Sequence, residues 1–305
     1  MVAVVATVGG QAAADEMPLP EDSTPILRAI AAANMERMKR LPKLQFRASS
    51  RYEFGEKFLE LNPEYVPVHG TSDVLEGYLA TNRYSMAVLF PRLQNATTPV
   101  VTVAYDGVTY RSLAHEALVV SKKFVLQPGG AMPLGTALLL PFAFLFPTDP
   151  PNTLPLIVPE MVVNPETWTK AFKGAKVVAI VRENGDTTTT VRLPQADGGF
   201  VNVLFTGAEK YRPTRIEKFN RRGHLNLRYQ TIATTEVAGI SGFFLVPNEM
   251  LVDFEHEGFH QCRYVVHVES IDVVRDLEPS VFTLDAARAT TIYDLDTKVL
   301  TAVPK

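Results

Sequence analysis

The sequence contains a single cysteine, Cys262, so no disulfide bond can form within the chain. A chain of 305 residues must then be held together by its apolar core alone. The sequence also lacks an excess of positive charge, since its formal net charge is −3. Proteins that bind nucleic acid usually carry a basic surplus on one face. The composition therefore argues against a nucleic-acid partner.

Long uninterrupted apolar runs are also missing. The most apolar internal stretch, residues 131–146, reads AMPLGTALLLPFAFLF and is broken by Pro133, Gly135 and Pro141. A membrane-spanning helix needs about 20 consecutive apolar residues. The pattern instead predicts a short helix or loop buried against other elements.

Catalytic motifs are scarce, because neither a G-x-S-x-G nucleophile motif nor a glycine-rich phosphate loop occurs. The one metal-binding pattern, H-E-x-x-H, comprises His256, Glu257 and His260. In zinc proteases a helix places both histidines on one face. Here the flanking residues alternate as in strands and Gly258 favours a turn, so we predict a hairpin. We accordingly expect no enzyme activity, catalytic residue, metal or cofactor; a zinc hydrolase using these three residues stays as an alternative.

The beginning of the chain resembles an export signal. Residues 1–14 form an apolar run that ends in small residues, which is typical of a signal peptide cleaved after Ala14. Residues 15–23 are acidic and contain prolines, which predicts a disordered mature terminus. We therefore expect a soluble, exported, monomeric protein with one domain over residues 24–305.

A single amphipathic helix is predicted over residues 24–41, with Thr24 as its cap and Pro42 beyond its end. Asn34 lies within the apolar face of this helix, and the pattern gives it no role. Arg37 points away from that face on the same projection. Together with neighbouring basic residues it forms a cluster that we interpret as a solvated helix end, with a phosphate site as the alternative. The cluster comprises Arg37, Lys39, Arg40, Lys43 and Arg47.

Most of the remaining chain alternates between polar and apolar residues, as strands with one buried face do. One long segment of this kind covers residues 44–54, and turn pairs such as Asp106-Gly107 and Arg222-Gly223 separate later ones. The segments follow one another too closely for crossover helices, so the sheet should be antiparallel. We predict an α+β, mainly β fold: a curved antiparallel sheet, an incomplete barrel of about 11 strands, with helices covering its concave face.

The order of these elements resembles the periplasmic outer-membrane lipoprotein carrier family, the LolA-type fold. The resemblance lies in the helix 24–41 before the strand 44–54, the phrase 101–110 (VTVAYDGVTY), the apolar segment 134–146, and the late phrases 212–216 and 268–284. Members of that family have an incomplete antiparallel barrel covered by helices. They carry acylated proteins or lipids through the periplasm, and related domains sense mislocalised lipoproteins.

The resemblance implies non-catalytic binding or carriage of an acyl-chain ligand, a lipid or a lipoprotein, in the periplasm, with a membrane-bound protein as donor or acceptor. The family also latches its helical lid with an arginine of the early strands; Arg47 and Arg51 are the two candidates. A packed sensor or interaction domain is the competing interpretation. For the hydrophobic pocket and its lid we predict Phe46, Tyr84, Met86, Leu139, Phe142, Phe144 and Phe146.

Overall fold

The structure of the protein is a computed structural model. It describes residues 15–89, 101–114, 116–122, 139–146, 157–183, 185–207, 210–239, 242–256, 258–284 and 286–303. The predicted signal peptide, 1–14, and the first part of the predicted lid, 134–138, lie outside the described residues.

Five α-helices occur in the described part of the chain. They are α1 (Thr24–Lys39), α2 (Glu56–Leu61), α3 (Leu140–Leu145), α4 (Pro159–Val163) and α5 (Pro165–Ala171). Three short 3₁₀ helices accompany them, at Pro63–Val68, Pro279–Phe282 and Ala286–Arg288. None of the helices among these residues is long and apolar enough to cross a membrane.

Sixteen strands of the described part of the chain form one sheet. The first seven are β1 (Asp15–Glu16), β2 (Leu44–Phe54), β3 (Ser72–Leu79), β4 (Tyr84–Leu89), β5 (Val101–Tyr105), β6 (Tyr110–Ala114) and β7 (Ala117–Ser121). The next seven are β8 (Lys176–Glu183), β9 (Asp186–Pro194), β10 (Phe200–Thr206), β11 (Arg212–Phe219), β12 (Leu225–Gly239), β13 (Gly242–His256) and β14 (Phe259–Val273). The last two are β15 (Thr291–Asp294) and β16 (Val299–Ala302).

The sheet is mainly antiparallel, curved and open. Its order is β1, then β8 to β14, then β2 to β7, then β15 and β16. The pairing of β14 with β2 joins two successive meanders into one sheet, with eleven residue pairs from Cys262↔Phe54 to Val273↔Leu44. The terminal strands β1 and β16 are not paired with each other among the described residues, so the sheet does not close into a barrel.

The prediction of a mainly β, curved, open sheet is confirmed, and two details are corrected. The sheet has sixteen strands instead of about 11, and it is mixed, because β15 pairs with β7 in parallel. One strand that the pattern missed is β3, in which Asp73 and Gly77 occupy buried positions where apolar residues would signal a strand. The other missed strands, β1, β15 and β16, are short and largely unburied, so they show no alternation. Asp15 and Glu16, within the segment predicted to be disordered, pair with β8.

One face of the sheet carries the core. Alternate residues of the strands are buried there, and residues of α1, α3, α4 and α5 belong to the same apolar cluster. Because side chains alternate between the two faces of a strand, this inner face is apolar while the outer face carries charges. The inner-face residues include Leu44, Phe46 and Ala48 of β2, Leu75 and Leu79 of β3, Tyr84, Met86 and Val88 of β4, Val201, Val203 and Phe205 of β10, and Tyr229, Val252 and Val266 of β12 to β14.

Gly77 shows how closely this face is packed. It pairs directly with Phe46 on the neighbouring strand. A Cβ atom at Gly77 would lie 2.6 Å from the Cζ of Phe46, and closer still to the backbone oxygen of Ser85. The phenylalanine ring therefore occupies the space that a larger residue at position 77 would need.

We predict that Gly77→Ala lowers the free energy of unfolding by about 1–3 kcal/mol, because the extra methyl group overpacks the core. Urea unfolding followed by tryptophan fluorescence measures it, since Trp168 is the only tryptophan and is buried. Ser72→Ala on the same strand is exposed and should change stability by less than about 0.5 kcal/mol. Equal stability of the Gly77→Ala protein and the unaltered chain would contradict this packing.

Candidate ligand-binding site

The short helix α3 is the centre of the apolar cover. All six of its residues, LPFAFL, are apolar, and only Phe144 among them is not fully buried. The ring of Phe142 lies 5.8 Å from that of Phe146 and 6.1 Å from that of Trp168, which belongs to α5. The indole nitrogen of Trp168 donates a 2.7 Å hydrogen bond to the carbonyl of Val162 in α4. These contacts hold α3, α4 and α5 together as one aromatic unit over the sheet.

The structure brings the seven predicted pocket residues into one continuous core. Six of them are buried, with exposed fractions between 0% and 7%. The seventh, Phe144, is half-buried, and its ring centre lies 5.9 Å from that of Tyr229. The sheet contributes Phe46, Tyr84 and Met86, and the α3 segment contributes Leu139, Phe142, Phe144 and Phe146. Here these residues pack against one another, and their binding of a ligand stays a prediction.

A small cavity of about 70 Å³ lies beside α3. Known ligand pockets usually measure about 300–1,000 Å³, so this space cannot hold a complete acyl chain as it stands. Its walls come from α1, α3 and three strands, and they combine apolar groups with threonines and two arginines. The lining residues are Arg37, Met38, Pro141, Phe142, Arg212, Pro213, Thr214, Thr231, Thr234, Leu245 and Pro247.

Asn34, to which the helical pattern gave no role, links two walls of this cavity, α1 and the start of β11. Its side chain is completely buried. Its amide nitrogen donates hydrogen bonds to the carbonyl of Ile30 at 2.8 Å and to that of Tyr211 at 3.0 Å. Its amide oxygen accepts a hydrogen bond from the guanidinium of Arg37. The helix α1 is thereby tied to the chain at the start of β11.

Sequence reasoning did not predict that these two arginines meet, and it interpreted Arg37 as part of a solvated helix end, with a phosphate site as the alternative. The helical projection placed Arg37 away from the apolar face, but its Nε atom is buried. Its long side chain lets the charged group reach beyond the position of its own Cα atom. Arg212 lies 175 positions further along the chain, so no local pattern relates the two residues. Two sequence signals pointed here: Asn34, three residues before Arg37 on the apolar face of the helix, and the phosphate-site alternative for the basic cluster that contains Arg37.

The two latch candidates lie on the other side of the sheet. Phe46 and Ala48 of β2 face the core, so Arg47 and Arg51 face outward. Arg47 forms ion pairs with Glu269, at 2.7 Å, and with Glu76, while Arg51 pairs with Glu53 at 2.6 Å. These partners belong to strands, not to α3. The assignment of a latch to either arginine stays a prediction.

His256 and His260 of the H-E-x-x-H pattern lie on the two strands of a hairpin, as the sequence predicts, and Glu257 lies outside the described residues. His256 ends β13 and pairs with Phe259 of β14, and His260 pairs with Glu255. Gly258 has a φ of 86°, in the left-handed region that the turn requires. The zinc protease motif needs both histidines on one helix, one turn apart. Here they lie on two strands of a hairpin, so this requirement is not met. Within the ranges that the structure describes, no group of three or more His, Cys, Asp or Glu residues could hold a metal ion.

A wider, open cleft of about 550 Å³ runs along β12 and β14. Glu236, Glu269 and Asp272 are among its lining residues, together with His267. The three carboxylates make this cleft unsuitable for an apolar chain, because the chain would remove water from charged groups. They also repel an anionic group. The cavity beside α3 is the better candidate for the predicted ligand.

Taken together, these features define a protein class by its geometry: an open, curved, mainly antiparallel sheet whose apolar face is covered by short helices. No protein-family model and no curated protein matches the chain. Solved structures do match. A DUF1329 family protein from Desulfovibrio piger is 9% identical and has a TM-score of 0.50, with 86% of this chain and 98% of the other covered.

Two further structures are similar at lower TM-scores. A LolA superfamily protein from Nitrosomonas europaea is 11% identical, with 85% of this chain and 97% of the other covered and a TM-score of 0.43. An outer membrane lipoprotein-sorting protein domain from Vibrio parahaemolyticus is 10% identical, with 84% and 97% covered and a TM-score of 0.46. The Desulfovibrio structure supports the fold that the sequence resemblance implies, an open curved sheet covered by helices, and it does not assign a family. At such low identity, fold likeness does not identify a ligand.

The environment of Cys262 yields a prediction about its reactivity. Burial, together with the carboxylates of Asp253 and Glu53 and against a hydrogen bond with Tyr264, raises the pKa of the Cys262 thiol to about 12. Only the thiolate reacts, and at pH 8 about one molecule in 10,000 would carry it. We expect Ellman's reagent to label the native protein at pH 8 far more slowly than the urea-unfolded protein. Equally fast labelling of both forms would show that the thiol is accessible.

Proposed function

We propose that this protein binds an acyl-chain ligand, a lipid or the lipid part of a lipoprotein, on the inner face of its sheet, without chemical change to the ligand. The observation that carries the proposal is α3, a six-residue helix that is apolar on all sides and belongs to the same apolar cluster as the inner face of the sheet and the helices α1, α4 and α5. A helix this short is not stable in water by itself. Its position therefore depends on the apolar surface that it covers.

Binding in this proposal requires α3 to move, because the cavity beside it is only about 70 Å³. An acyl chain would then take the place of α3 against the inner face. Burying Leu140, Phe142 and Leu145 contributes roughly 5–9 kcal/mol. Burying about ten methylene groups of a ligand contributes roughly 8 kcal/mol. The two states are close enough in free energy for reversible exchange, which a carrier needs.

The proposed location in the cell is taken from the family resemblance of the sequence. We propose that the protein acts in the periplasm, as a monomer, and exchanges its ligand with a membrane-bound donor or acceptor. The lipoprotein-sorting description belongs to the Vibrio protein and does not choose between a lipid and a lipoprotein here. The apolar inner face is compatible with either cargo, since both present acyl chains.

A packed sensor or interaction domain is the second candidate. It is favoured by the tight packing of the predicted pocket residues, of which Tyr84, Met86 and Phe142 are no more than 1% exposed. In this alternative α3 never leaves the sheet and the outer surface binds a protein partner. Native mass spectrometry of protein purified from an envelope extract, followed by organic extraction, separates the two. Bound acyl-chain lipid supports the carrier; protein without any bound mass supports the packed domain.

We predict that Phe144→Asp weakens binding of a fluorescent fatty acid at least tenfold, because it places a charge where the chain would lie. Phe144 is half-buried, so the variant should still fold. The matched control is Phe200→Asp. Phe200 is also half-buried, and its ring stacks on that of Phe219 with ring centres 4.7 Å apart. It lies on the outer face of the sheet, because the next residue, Val201, faces inward. Equal loss of binding in both variants, or no loss in a folded Phe144→Asp protein, would contradict the proposed position.

A further inference from the structure

Two arginines from distant parts of the chain meet at the cavity beside α3. Arg37 comes from the last turn of α1, and Arg212 is the first residue of β11. Both line the same space, together with the apolar side chains of Met38 and Phe142. Burial, together with the positive charge of Arg212, lowers the pKa of Arg37 to about 10. The two guanidinium groups are therefore near enough to repel each other.

Neither charge is neutralised within the described part of the chain. The Nε atom of Arg37 and the Nε and Nη1 atoms of Arg212 are buried without a hydrogen-bond acceptor. The one acceptor at Arg37 is the neutral amide oxygen of Asn34. Nearby arginines behave differently: Arg215 and Arg228 both form ion pairs with Glu217. Both side chains are half-buried, and an unpaired charge that is partly removed from water is costly, so two like charges at one cavity are unusual.

The local backbone holds this arrangement in place. Tyr211, just before Arg212, has a φ of 40°, a left-handed conformation that a residue other than glycine adopts only at a cost. The 3.0 Å hydrogen bond from Asn34 to the Tyr211 carbonyl fixes this peptide against α1. The same amide also contacts Arg37. One buried side chain therefore holds the guanidinium of Arg37 directly and fixes the peptide that precedes Arg212.

We propose that Arg37 and Arg212 together bind an anionic oxygen group, a phosphate or a carboxylate, at the head of the acyl-chain ligand. The inference rests on the proposed function and specifies its ligand as an anionic amphiphile. Guanidinium groups match the geometry of such oxygens and can bind them with paired hydrogen bonds. The cavity has room for a group of a few atoms. Pro141 and Phe142 of α3 line it too, so movement of α3 would open the head site and the chain site together.

The test uses two amphiphiles with the same oleoyl chain, below their critical micelle concentrations: lysophosphatidic acid, which is anionic, and monooleoylglycerol, which is neutral. Inorganic phosphate is the third probe. Isothermal titration calorimetry should show lysophosphatidic acid binding at least about tenfold more tightly than the neutral lipid. In the variant Arg37→Gln/Arg212→Gln this preference should disappear, with the affinity for monooleoylglycerol unchanged. Arg215→Gln is the matched control and should keep the preference.

The outcomes separate this inference from the proposed function. Equal binding of both amphiphiles, or an unchanged preference in the double variant, would overturn the anion site and leave acyl-chain binding in place. Binding of neither amphiphile would overturn the proposed function, and with it the anionic amphiphile. If phosphate alone then bound, and only with both arginines present, the site would serve a free anion instead.

Stability provides a second readout that needs no ligand. Arg212→Gln removes a charge beside Arg37, and no hydrogen bond of the Arg212 side chain is seen among the described residues. We therefore expect a higher urea midpoint for this variant than for the unaltered protein. Arg215→Gln loses an ion pair with Glu217 and should show no increase. A lower midpoint for Arg212→Gln would mean that its charge is compensated in the free protein, which contradicts the inference.

Discussion

The need to cover one apolar face of an open sheet determines most of this structure. Alternation along the strands places residues such as Phe46, Tyr84 and Phe205 on one side, where water contact would be unfavourable. A closed barrel would shield such a face by itself, but this sheet stays open at β1 and β16. The helices α1, α3, α4 and α5 provide the missing cover. The fold is stable only while this cover, or something equally apolar, is in place.

Among the pieces of this cover, α3 has the least structure of its own. It is six residues long and apolar throughout, so it is held by burial and not by helix propensity. The α1 helix, by contrast, is 16 residues long and ends in basic residues that suit a helix C-terminus. Because α3 is the shorter helix and depends on burial alone, a ligand could replace it at a lower free-energy cost than α1.

Asn34 shows how a polar group can be useful inside an apolar layer. All of its hydrogen-bonding groups are engaged, with Ile30, Tyr211 and Arg37. The side chain therefore avoids the cost of an unsatisfied buried amide. It also holds Arg37 and anchors the peptide before Arg212, and neither arginine has a carboxylate partner in the described part of the chain. Natural proteins often accept such local instability at binding sites, where a ligand supplies the missing interaction.

The sequence by itself determined the elements that depend on local patterns: α1, the long alternating strands and the hairpin at Gly258. It did not reveal β3, because Asp73 and Gly77 interrupt the apolar pattern, nor the parallel pairing of β7 with β15. The core position of the predicted pocket residues followed from their apolar character, whereas Arg37 was placed on the solvent side. Only the tertiary structure decided that β14 pairs with β2 and that Arg37 meets Arg212. The reason is physical: such contacts join residues far apart in the chain, and they are selected by the packing of the whole sheet, which no local periodicity contains.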